Sequence, residues 1–434
     1  MTAPQNDASA ARRARAWLLV CAPVFAIAWS GNEFTPLLVM YRNSDHLSSV
    51  TVDGLLGVYV LGIVPAMLIG APLSDRYGRR PVMLPAAFIA TAGSLVLAFA
   101  DGGSALLALG RVLSGIALGL AMAVGTSWVK ELSQAPFDAA AASGVGATRG
   151  ALALTAGFLI GAVVAAPLAQ WGPWPQTLPY LISAALALGS GLLAVPAPET
   201  RRRGAPATLR QLASDLRIPA AGHRRFLFVV LPATSWIFGT AASAYAVLPS
   251  LLADRVPGEQ IVFSGLLCLV TLGSAFLVQP LARRLYSDHS ARGVLVALGV
   301  TAAGMVGAVI ATSVLNPIVA IGAALVLGIA NGLLLLSTML EVQRIARDDD
   351  LAGLTALLYT GAYLGFFIPT VLSVLSRWVL YPVLFAAGAV IAIGCLAVVA
   401  RFSTRHLYRH RSPEESTGGG SGTGTQPAEL TGTN

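Results

Sequence analysis

The chain has 434 residues, of which 56% are hydrophobic and only 11% are charged. A soluble protein carries about 25% charged residues, so this composition excludes a soluble globular protein. The net charge of +8 does not indicate a nucleic-acid-binding protein, because the basic residues lie mainly in alternate loops between apolar segments. That arrangement is typical of a protein inserted in a lipid bilayer.

Twelve apolar segments are long enough to cross a membrane, since about 20 apolar residues span the hydrocarbon core as a helix. They predict an all-α polytopic membrane protein with 12 transmembrane helices in two six-helix halves. The predicted spans are 17–41, 54–73, 81–100, 104–129, 139–168, 178–195, 226–253, 260–282, 293–314, 317–343, 351–375 and 382–400.

A polar stretch after the sixth span separates the two halves and sets the predicted domain organisation. Within it, Leu209, Leu212, Ala213 and Leu216 have helical spacing and predict a short helix on the membrane surface. The glycine-rich C-terminal segment is predicted to be disordered. The predicted divisions are an N-terminal tail over 1–16, six-helix bundles over 17–197 and 226–400, a linker over 198–225 and a C-terminal tail over 401–434.

The placement of the basic residues predicts the orientation in the membrane. With the N-terminus in the cytoplasm, 23 of the 28 Arg and Lys residues fall in inner segments and 3 in outer loops. Cytoplasmic loops of membrane proteins carry such an excess of positive charge. We therefore expect a multi-pass protein of the cell inner membrane with both termini in the cytoplasm.

Two short matches indicate that the halves are related by duplication. The segment GIALGL at 115–120 recurs as GIANGL at 328–333, in the fourth span of each half. A second match lies at the end of the second span of each half, where Pro72, Leu73 and Arg76 recur as Pro280, Leu281 and Arg284. Parallel repeats of this kind are a known transporter architecture.

The turn between the second and third spans is unusually rich in charge. It runs Gly70-Ala71-Pro72-Leu73-Ser74-Asp75-Arg76-Tyr77-Gly78-Arg79-Arg80. It resembles the signature loop of the major facilitator superfamily, G-x-L-A-D-R-x-G-R-[RK], with alanine in place of the leading glycine. The resemblance implies a secondary transporter whose halves rock around a central site.

The same resemblance implies that this turn is a gate on the cytoplasmic side. Its members are Asp75, Arg76, Gly78, Arg79 and Arg80. We predict that the three arginines contact Glu131, at the end of the fourth span, and the acidic run 348–350 that precedes the eleventh span.

Glu33 is the strongest candidate for a functional residue, because it lies about 24 Å into the first span. An ionised carboxylate at that depth costs about 2.5–3.5 kcal/mol. It is therefore expected either to bind a coupling proton or cation, together with its neighbour Asn32, or to form a structural ion pair. Pro36 follows closely and predicts a local irregularity of the helix.

Arg111 lies about 10 Å into the fourth span from its outer end, a depth comparable with that of Glu33. The pattern L-x-x-x-R-x-x-S-G over 107–115 resembles a second motif of the superfamily, in which a membrane arginine is associated with proton-coupled exchange. The matched depths allow a Glu33–Arg111 pair. In it the arginine would tune the carboxylate or hold an anionic group, and purely structural pairing is the alternative.

Several later residues are weaker candidates for a cavity lining, because each is more often a core residue. They are Trp236, Tyr245, Asn331, Tyr359 and Tyr363. A mid-membrane amide such as that of Asn331 usually bonds to a neighbouring helix. Asp53 is expected to cap the second helix at the outer surface.

No enzyme constellation is present, because the five histidines lie in loops or tails and no phosphate-binding glycine loop occurs. We expect no enzymatic activity, no cofactor and no metal. The predicted function is proton-coupled efflux of a small amphipathic compound by a monomer. Proton-coupled uptake of a sugar or organic acid and a non-transporting membrane sensor are the alternatives.

Ala162 stands where the drug-antiporter signature has a proline after Gly161, which weighs against membership of the drug-antiporter subgroup.

Overall fold

The computed structural model describes residues 13–43, 47–101, 103–142, 144–201, 219–287, 289–346 and 351–404. Within these ranges the secondary structure is helical, and no β-strand is present. Eleven helices are long and apolar enough to cross a membrane, and a twelfth is apolar but shorter. The predicted all-α polytopic membrane fold is confirmed.

The twelve helices are numbered in chain order. They are α1 Ala16–Asn43, α2 Ser49–Tyr77, α3 Arg80–Ala98, α4 Ser104–Leu132, α5 Val145–Trp171, α6 Leu178–Ala194, α7 Phe226–Leu251, α8 Gln260–Arg284, α9 Arg292–Val314, α10 Pro317–Ile345, α11 Gly353–Leu375 and α12 Tyr381–Phe402. The face where α1 begins and α12 ends is called the terminal face below, and the other is the opposite face. The predicted linker helix over 209–216 and the tail beyond residue 404 lie outside the described residues.

Local sequence explains several helix ends. Asn316 caps α10, because its Oδ1 accepts the N–H of Ile318 at 2.8 Å. Ser48 caps α2, where its Oγ accepts the N–H of Thr51 at 3.1 Å. The predicted capping role of Asp53 is therefore wrong, because its side chain points sideways to other helices. Gly78 ends α2 with a φ of 104°, which favours glycine.

The two halves repeat the same packing. Helix α2 packs against α4, α3 against α4 and α6, and α1 against α5. The equivalent pairs α8–α10, α9–α10, α9–α12 and α7–α11 pack together in the second half. The predicted relationship between the halves thus extends to their helix contacts, while the residue bounds of the two bundles stay a prediction.

The recurring glycines explain the closest of these contacts. A Cβ on Gly115 would lie 2.2 Å from the carbonyl oxygen of Tyr59, and one on Gly119 2.4 Å from that of Ile63. In the second half, a Cβ on Gly332 would lie 2.1 Å from the carbonyl oxygen of Ala275. Small residues allow membrane helices to approach this closely. The two matched segments therefore play the same role, which is to bring α4 close to α2 and α10 close to α8.

Four helices are irregular in their membrane-crossing part. Helix α1 is interrupted at Glu33, between segments Ala16–Asn32 and Phe34–Asn43. This confirms the predicted irregularity, and its cause is Pro36, which has no N–H to offer the Asn32 carbonyl. The other irregular stretches are π turns in α4 and α7 at Ala121–Gly125, Phe226–Val230 and Ser243–Val247, and a 3₁₀ turn in α11 at Leu364–Phe367. Such turns re-aim side chains and often mark functional sites.

The two halves are in contact at the opposite face. Every residue of α1 from 26 to 41 is buried, and so is every residue of α7 from 239 to 249. The second segment of α1 packs on α8 and on the π turn of α7. The structure therefore describes a state that is closed at the opposite face.

Candidate functional site

The Glu33 carboxylate is fully enclosed, with 0% of the residue exposed. The side chains of Ser183 on α6 and Trp29 on α1 approach it. Neither is aligned for a hydrogen bond, because both carboxylate oxygens and the Trp29 Nε1–H have no partner. An acid so placed is stable only in its neutral form, since a buried and unpartnered carboxylate is costly.

Arg111 of α4 is also buried, and its guanidinium is held by backbone and rings. Its Nη1 donates to the carbonyl oxygen of Gly31 at 3.1 Å, and its Nε donates to that of Leu55 at 3.5 Å. The guanidinium carbon lies 3.9 Å from the ring centre of Tyr59 and 4.6 Å from that of Phe34. Cation–π contacts of this kind are worth about 2 kcal/mol when desolvated, so the charge is stabilised without a carboxylate.

The Glu33–Arg111 pair considered from the sequence is not formed in this state. Arg111 is close enough to Glu33 for the two charges to interact. However, the salt bridges formed by the described residues do not include a Glu33–Arg111 pair. Asn32 is used structurally, because its Nδ2 donates to the Phe158 carbonyl at 2.9 Å and its Oδ1 accepts from Thr35 at 2.8 Å. Glu33 and Arg111 therefore stand close together with separate sets of neighbours.

A stack of aromatic rings joins α7 to α11 in the middle of the bundle. The ring centre of Phe238 lies 4.7 Å from that of Tyr363 and 5.2 Å from that of Phe366. The Tyr363 hydroxyl donates to Met122 Sδ at 2.9 Å and so connects the second half to α4. Met122 belongs to the π turn of α4, which gives that turn a role in the contact between halves.

The structure brings together only some of the candidates for a cavity lining. Tyr245 and Tyr359 lie near Tyr363, as a shared lining requires. Trp236 does not join them, because it packs in the core of the second half. Asn331 donates to the Ile237 carbonyl at 2.6 Å, which is the structural role that a membrane amide usually has.

Two sets of polar contacts tie the halves together at the opposite face. The Asp53 carboxylate on α2 binds the guanidinium of Arg42 and the hydroxyl of Ser373, which belongs to α11. The Gln170 amide at the end of α5 bridges to the start of α8. Its Nε2 donates to the Gly258 carbonyl at 2.6 Å, and its Oε1 accepts the N–H of Ile261 at 2.9 Å.

On the terminal face, Arg79 is the centre of the charged turn. Its Nη2 lies 2.8 Å from both Asp75 Oδ1 and Glu131 Oε1, and its Nη1 donates to Ser74 Oγ at 2.6 Å. Arg201 adds a second cation, with its Nε 3.2 Å from Glu131 Oε1. Burial alone lowers the pKa of Arg79, but the carboxylates of Glu131 and Asp75 outweigh it and raise that pKa above its ordinary value. Arg79 therefore stays charged at every physiological pH.

The predicted contacts of the turn hold for Arg79 only. The Nη1 of Arg76 is buried without a hydrogen-bond partner, and Arg80 forms no ion pair with Glu131 in the described part of the chain. The predicted contact of Arg76 and Arg80 with Glu131 is therefore wrong, because the Glu131 carboxylate is already occupied by Arg79, Arg201 and the Thr200 hydroxyl. The predicted contact with the acidic run 348–350 lies outside the described residues.

Glu199, just after α6, binds the backbone of the charged turn. Its carboxylate accepts the backbone N–H groups of Arg79 and Arg80, both at 2.9 Å. A carboxylate is favoured at this place, because the start of a helix presents free N–H groups and a positive dipole end. A Cβ on Gly78 would lie 2.6 Å from Glu199 Oε2, so this glycine is needed for the approach.

The sequence of the chain matches the profile of the Major Facilitator Superfamily over residues 18–370. The chain belongs to the major facilitator superfamily. Proteins of this family are multi-pass membrane transporters and not enzymes, and the membrane-crossing helices of the chain fit that class.

Curated proteins that resemble the chain are a multidrug transporter, a chloramphenicol resistance protein and an exporter. Multidrug transporter MdfA of Escherichia coli O157:H7 is 31% identical over 292 residues, 61% of this chain and 66% of the relative. The chloramphenicol resistance protein of Pseudomonas aeruginosa is 25% identical over 62% of each chain. The bacillibactin exporter of Bacillus subtilis is 30% identical over 140 residues, 31% of this chain and 34% of the relative. The matches span less than two thirds of these relatives.

Solved structures of the superfamily share the fold over nearly the whole chain. A POT family transporter in complex with 5-aminolevulinic acid has a TM-score of 0.73 at 13% identity, covering 90% of this chain and 96% of its own. A nucleoside transporter has a TM-score of 0.68 at 13% identity and covers 88% of this chain. At this identity the likeness concerns the fold alone.

Sequence reasoning missed several residues that the structure brings together. Glu199 follows the end of α6, and its binding to the start of α3, 120 residues earlier in the chain, has no local signal in the sequence. Phe238 and Phe366 carry no signal among so many apolar residues. The partners Gln170 and Ser373 become visible only once the two halves are placed against each other.

Proposed function

We propose that this transporter exports small amphipathic compounds from the cytoplasm in exchange for protons, with Glu33 as the proton-binding group. The observation that carries the proposal is the Glu33 carboxylate, fully buried and without a hydrogen-bond partner. The name of one similar protein, a bacillibactin exporter, supports export as the direction, and the names of a multidrug transporter and a chloramphenicol resistance protein fit it.

Proton binding at Glu33 follows from the cost of its charge. An ionised carboxylate in the membrane costs about 2.5–3.5 kcal/mol, and the nearby side chains of Ser183, Trp29 and Arg111 offset only part of the cost of burial. The acid therefore holds a proton while the opposite face is closed. Release of the proton leaves a negative charge near the Arg111 guanidinium, which attracts the carboxylate. Among the described residues, Glu33 is the carboxylate that acts on this guanidinium.

The break in α1 connects this proton to the conformational change. Arg111 binds the Gly31 carbonyl on one side of the break and stacks on Phe34 on the other. The segment after the break, Phe34–Asn43, forms part of the contact with α7 and α8. Movement of Arg111 toward a deprotonated Glu33 would therefore disturb the segment that closes the opposite face.

In this proposal the terminal face is cytoplasmic, as the distribution of arginines indicates. The charged turn around Arg79 and Glu131 then belongs to the gate on the cytoplasmic side. We infer that substrate enters from that face when the halves separate there, and that the aromatic rings of Phe238, Tyr363 and Phe366 then provide the apolar surface that an amphipathic compound requires.

The experiment is transport in proteoliposomes driven by an imposed pH gradient, with chloramphenicol as the first probe and a thermal-shift screen of drugs, sugars and organic acids to widen the set. Wild-type protein is expected to move the compound against the proton flow. Glu33→Gln should abolish transport driven by the pH gradient, whereas the exposed control Glu259→Gln should not. Cotransport with protons would instead indicate uptake, absence of flux for every bound ligand would indicate a sensor, and full drive in Glu33→Gln would refute the role of Glu33.

A further inference from the structure

The third helix of each half begins at the terminal face, and the two halves treat this helix start differently. In the first half the Glu199 carboxylate, after α6, accepts the N–H groups of Arg79 and Arg80 at the start of α3. In the second half Ser403, after α12, accepts the N–H of Ala291 before the start of α9, at 3.1 Å from its Oγ. A neutral hydroxyl therefore stands where the first half has a negative charge.

The first turn of α9 has no capping side chain. Among the described residues, no side chain accepts the N–H groups of residues 292–294. The first N–H groups of a helix have no partner within it, and they carry the positive end of its dipole. Because α9 is 23 residues long, its start is a favourable place for an anion.

A buried hydroxyl group of α10 faces this helix start. Ser337 is only 4% exposed, and its Oγ has no hydrogen-bond partner in the described part of the chain. This Oγ would lie 2.7 Å from a Cβ on Gly293, so it lies directly against the first turn of α9. Both residues line an open cleft of about 200 Å³, together with Ser287 and Ser290. A buried hydroxyl without a partner is costly, and an anion in the cleft would accept its proton.

The charges beside the cleft also favour an anion. Glu341 lines the cleft, but two arginines bind its carboxylate, Arg225 through Nε at 2.7 Å and Arg344 through Nη1 at 3.2 Å. Arginine does not lose its proton in proteins, so these three side chains carry one net positive charge. The Arg344 guanidinium is held in place by the Tyr286 ring, whose centre lies 4.8 Å from the guanidinium carbon.

The position of the cleft indicates which anion it binds. It lies where α8 and α10 end and α9 begins, and the ends of membrane-crossing helices lie at the level of the lipid headgroups. Arg283 and Arg284 at the end of α8 and Arg292 at the start of α9 are exposed there. Basic clusters of this kind attract the phosphates of anionic lipids. A phosphate group has several oxygens, which can accept N–H and hydroxyl donors together.

We propose that the cleft between the start of α9 and Ser337 binds a phosphate group, which takes the place that the Glu199 carboxylate has at the start of α3. The phosphate oxygens accept the N–H groups of the first turn of α9 and the hydroxyl proton of Ser337. The bound group links α9 to α10 at the terminal face. It belongs either to an anionic phospholipid or to free inorganic phosphate. The site lies within the second half and does not depend on the role of Glu33.

The test measures the melting temperature of the full-length protein with two probes. The first is inorganic phosphate, titrated into protein in detergent against sodium chloride of equal ionic strength. The second is phosphatidylglycerol, added to nanodiscs of phosphatidylcholine. A ligand stabilises the state that it binds, so wild-type protein should show a saturable rise in melting temperature with at least one probe. A rise with inorganic phosphate identifies free phosphate as a ligand, and a rise with phosphatidylglycerol alone identifies the lipid headgroup.

Two variants of Ser337 show whether the response comes from the cleft. Ser337→Ala removes one donor and should raise the half-saturating concentration of the probe about tenfold, as expected for the loss of one hydrogen bond to a charged group. Ser337→Asp places a carboxylate at the start of α9 and should abolish the response to the probe.

Thr338→Val is the matched control, because Thr338 is buried on the same helix and its hydroxyl donates to the Leu334 carbonyl of its own helix at 2.7 Å. It should respond like wild type. Two results would overturn the proposal: no saturable response of wild-type protein to either probe, or equal responses in Ser337→Ala, Ser337→Asp and Thr338→Val.

Discussion

Replacing Gln170 with alanine removes three hydrogen bonds that exist only while the two halves touch at the opposite face. The amide of Gln170, on α5, accepts the N–H groups of Ile261 and Val262 and donates to the Gly258 carbonyl. It therefore caps the start of α8, a helix of the other half whose own preceding residue, Glu259, provides no side-chain cap.

We expect this substitution to change the equilibrium between the open and closed states of the opposite face and not the folding of either half. Loss of a capping side chain costs about 1 kcal/mol, and the bond to Gly258 adds about 0.5–1.5 kcal/mol. Water replaces part of both, because Gln170 is only half-buried. A net loss of about 1.4 kcal/mol corresponds to a tenfold change, so Gln170→Ala should raise the ratio of open to closed opposite face roughly tenfold.

The assay is the distance between spin labels across the opposite face. Exposed positions Pro175 and Asp254 accept labels after the three native cysteines have been replaced by alanine. Gln170→Ala should enlarge the population with long distances, while the control Gln343→Ala, exposed on α10 at the terminal face, should not. Identical distance distributions in Gln170→Ala and the control would refute the idea that this cap holds the face closed.

Three further predictions concern the charged turn and the helix packing. Glu131→Gln should slow transport with normal membrane insertion, because Arg79 loses its main carboxylate; rates equal to wild type in a flux assay would contradict a gating role. Asn331→Leu should lower thermal stability by about 1 kcal/mol, the value of its bond to α7, and unchanged melting in detergent would argue against that bond. Gly332→Val should destabilise the second half strongly, since its Cβ would meet the Ala275 carbonyl; near-normal yield and melting temperature would show that α8 and α10 separate readily.

The twelve helices and the charged turn could be predicted because the length of each apolar segment and the positions of the charged residues can be read directly from the sequence. The break at Glu33 was also predictable, since Pro36 removes a backbone donor whatever the surroundings. The partner of Arg111 was not, because depth along a helix does not give the direction of a side chain around it. Arg111 turns toward Tyr59, Phe34 and the Gly31 carbonyl, and Glu33 toward α6.

Contacts between the halves were beyond prediction for a different reason. Asp53 looked like a capping residue, because it stands near the start of a helix. Its binding to Arg42 and Ser373 depends on how α11 lies against α2, which local sequence does not encode. Gln170 is similar, since an amide at the end of α5 gives no sign that it caps a helix some 90 residues later in the chain.

Exchange of one proton on Glu33 for the transported compound can be measured by counting the protons released when a transported compound binds to the protein in weakly buffered solution. Wild-type protein should release protons on binding, and Glu33→Gln should bind the compound without releasing them. Equal proton release from wild type and Glu33→Gln would contradict the account.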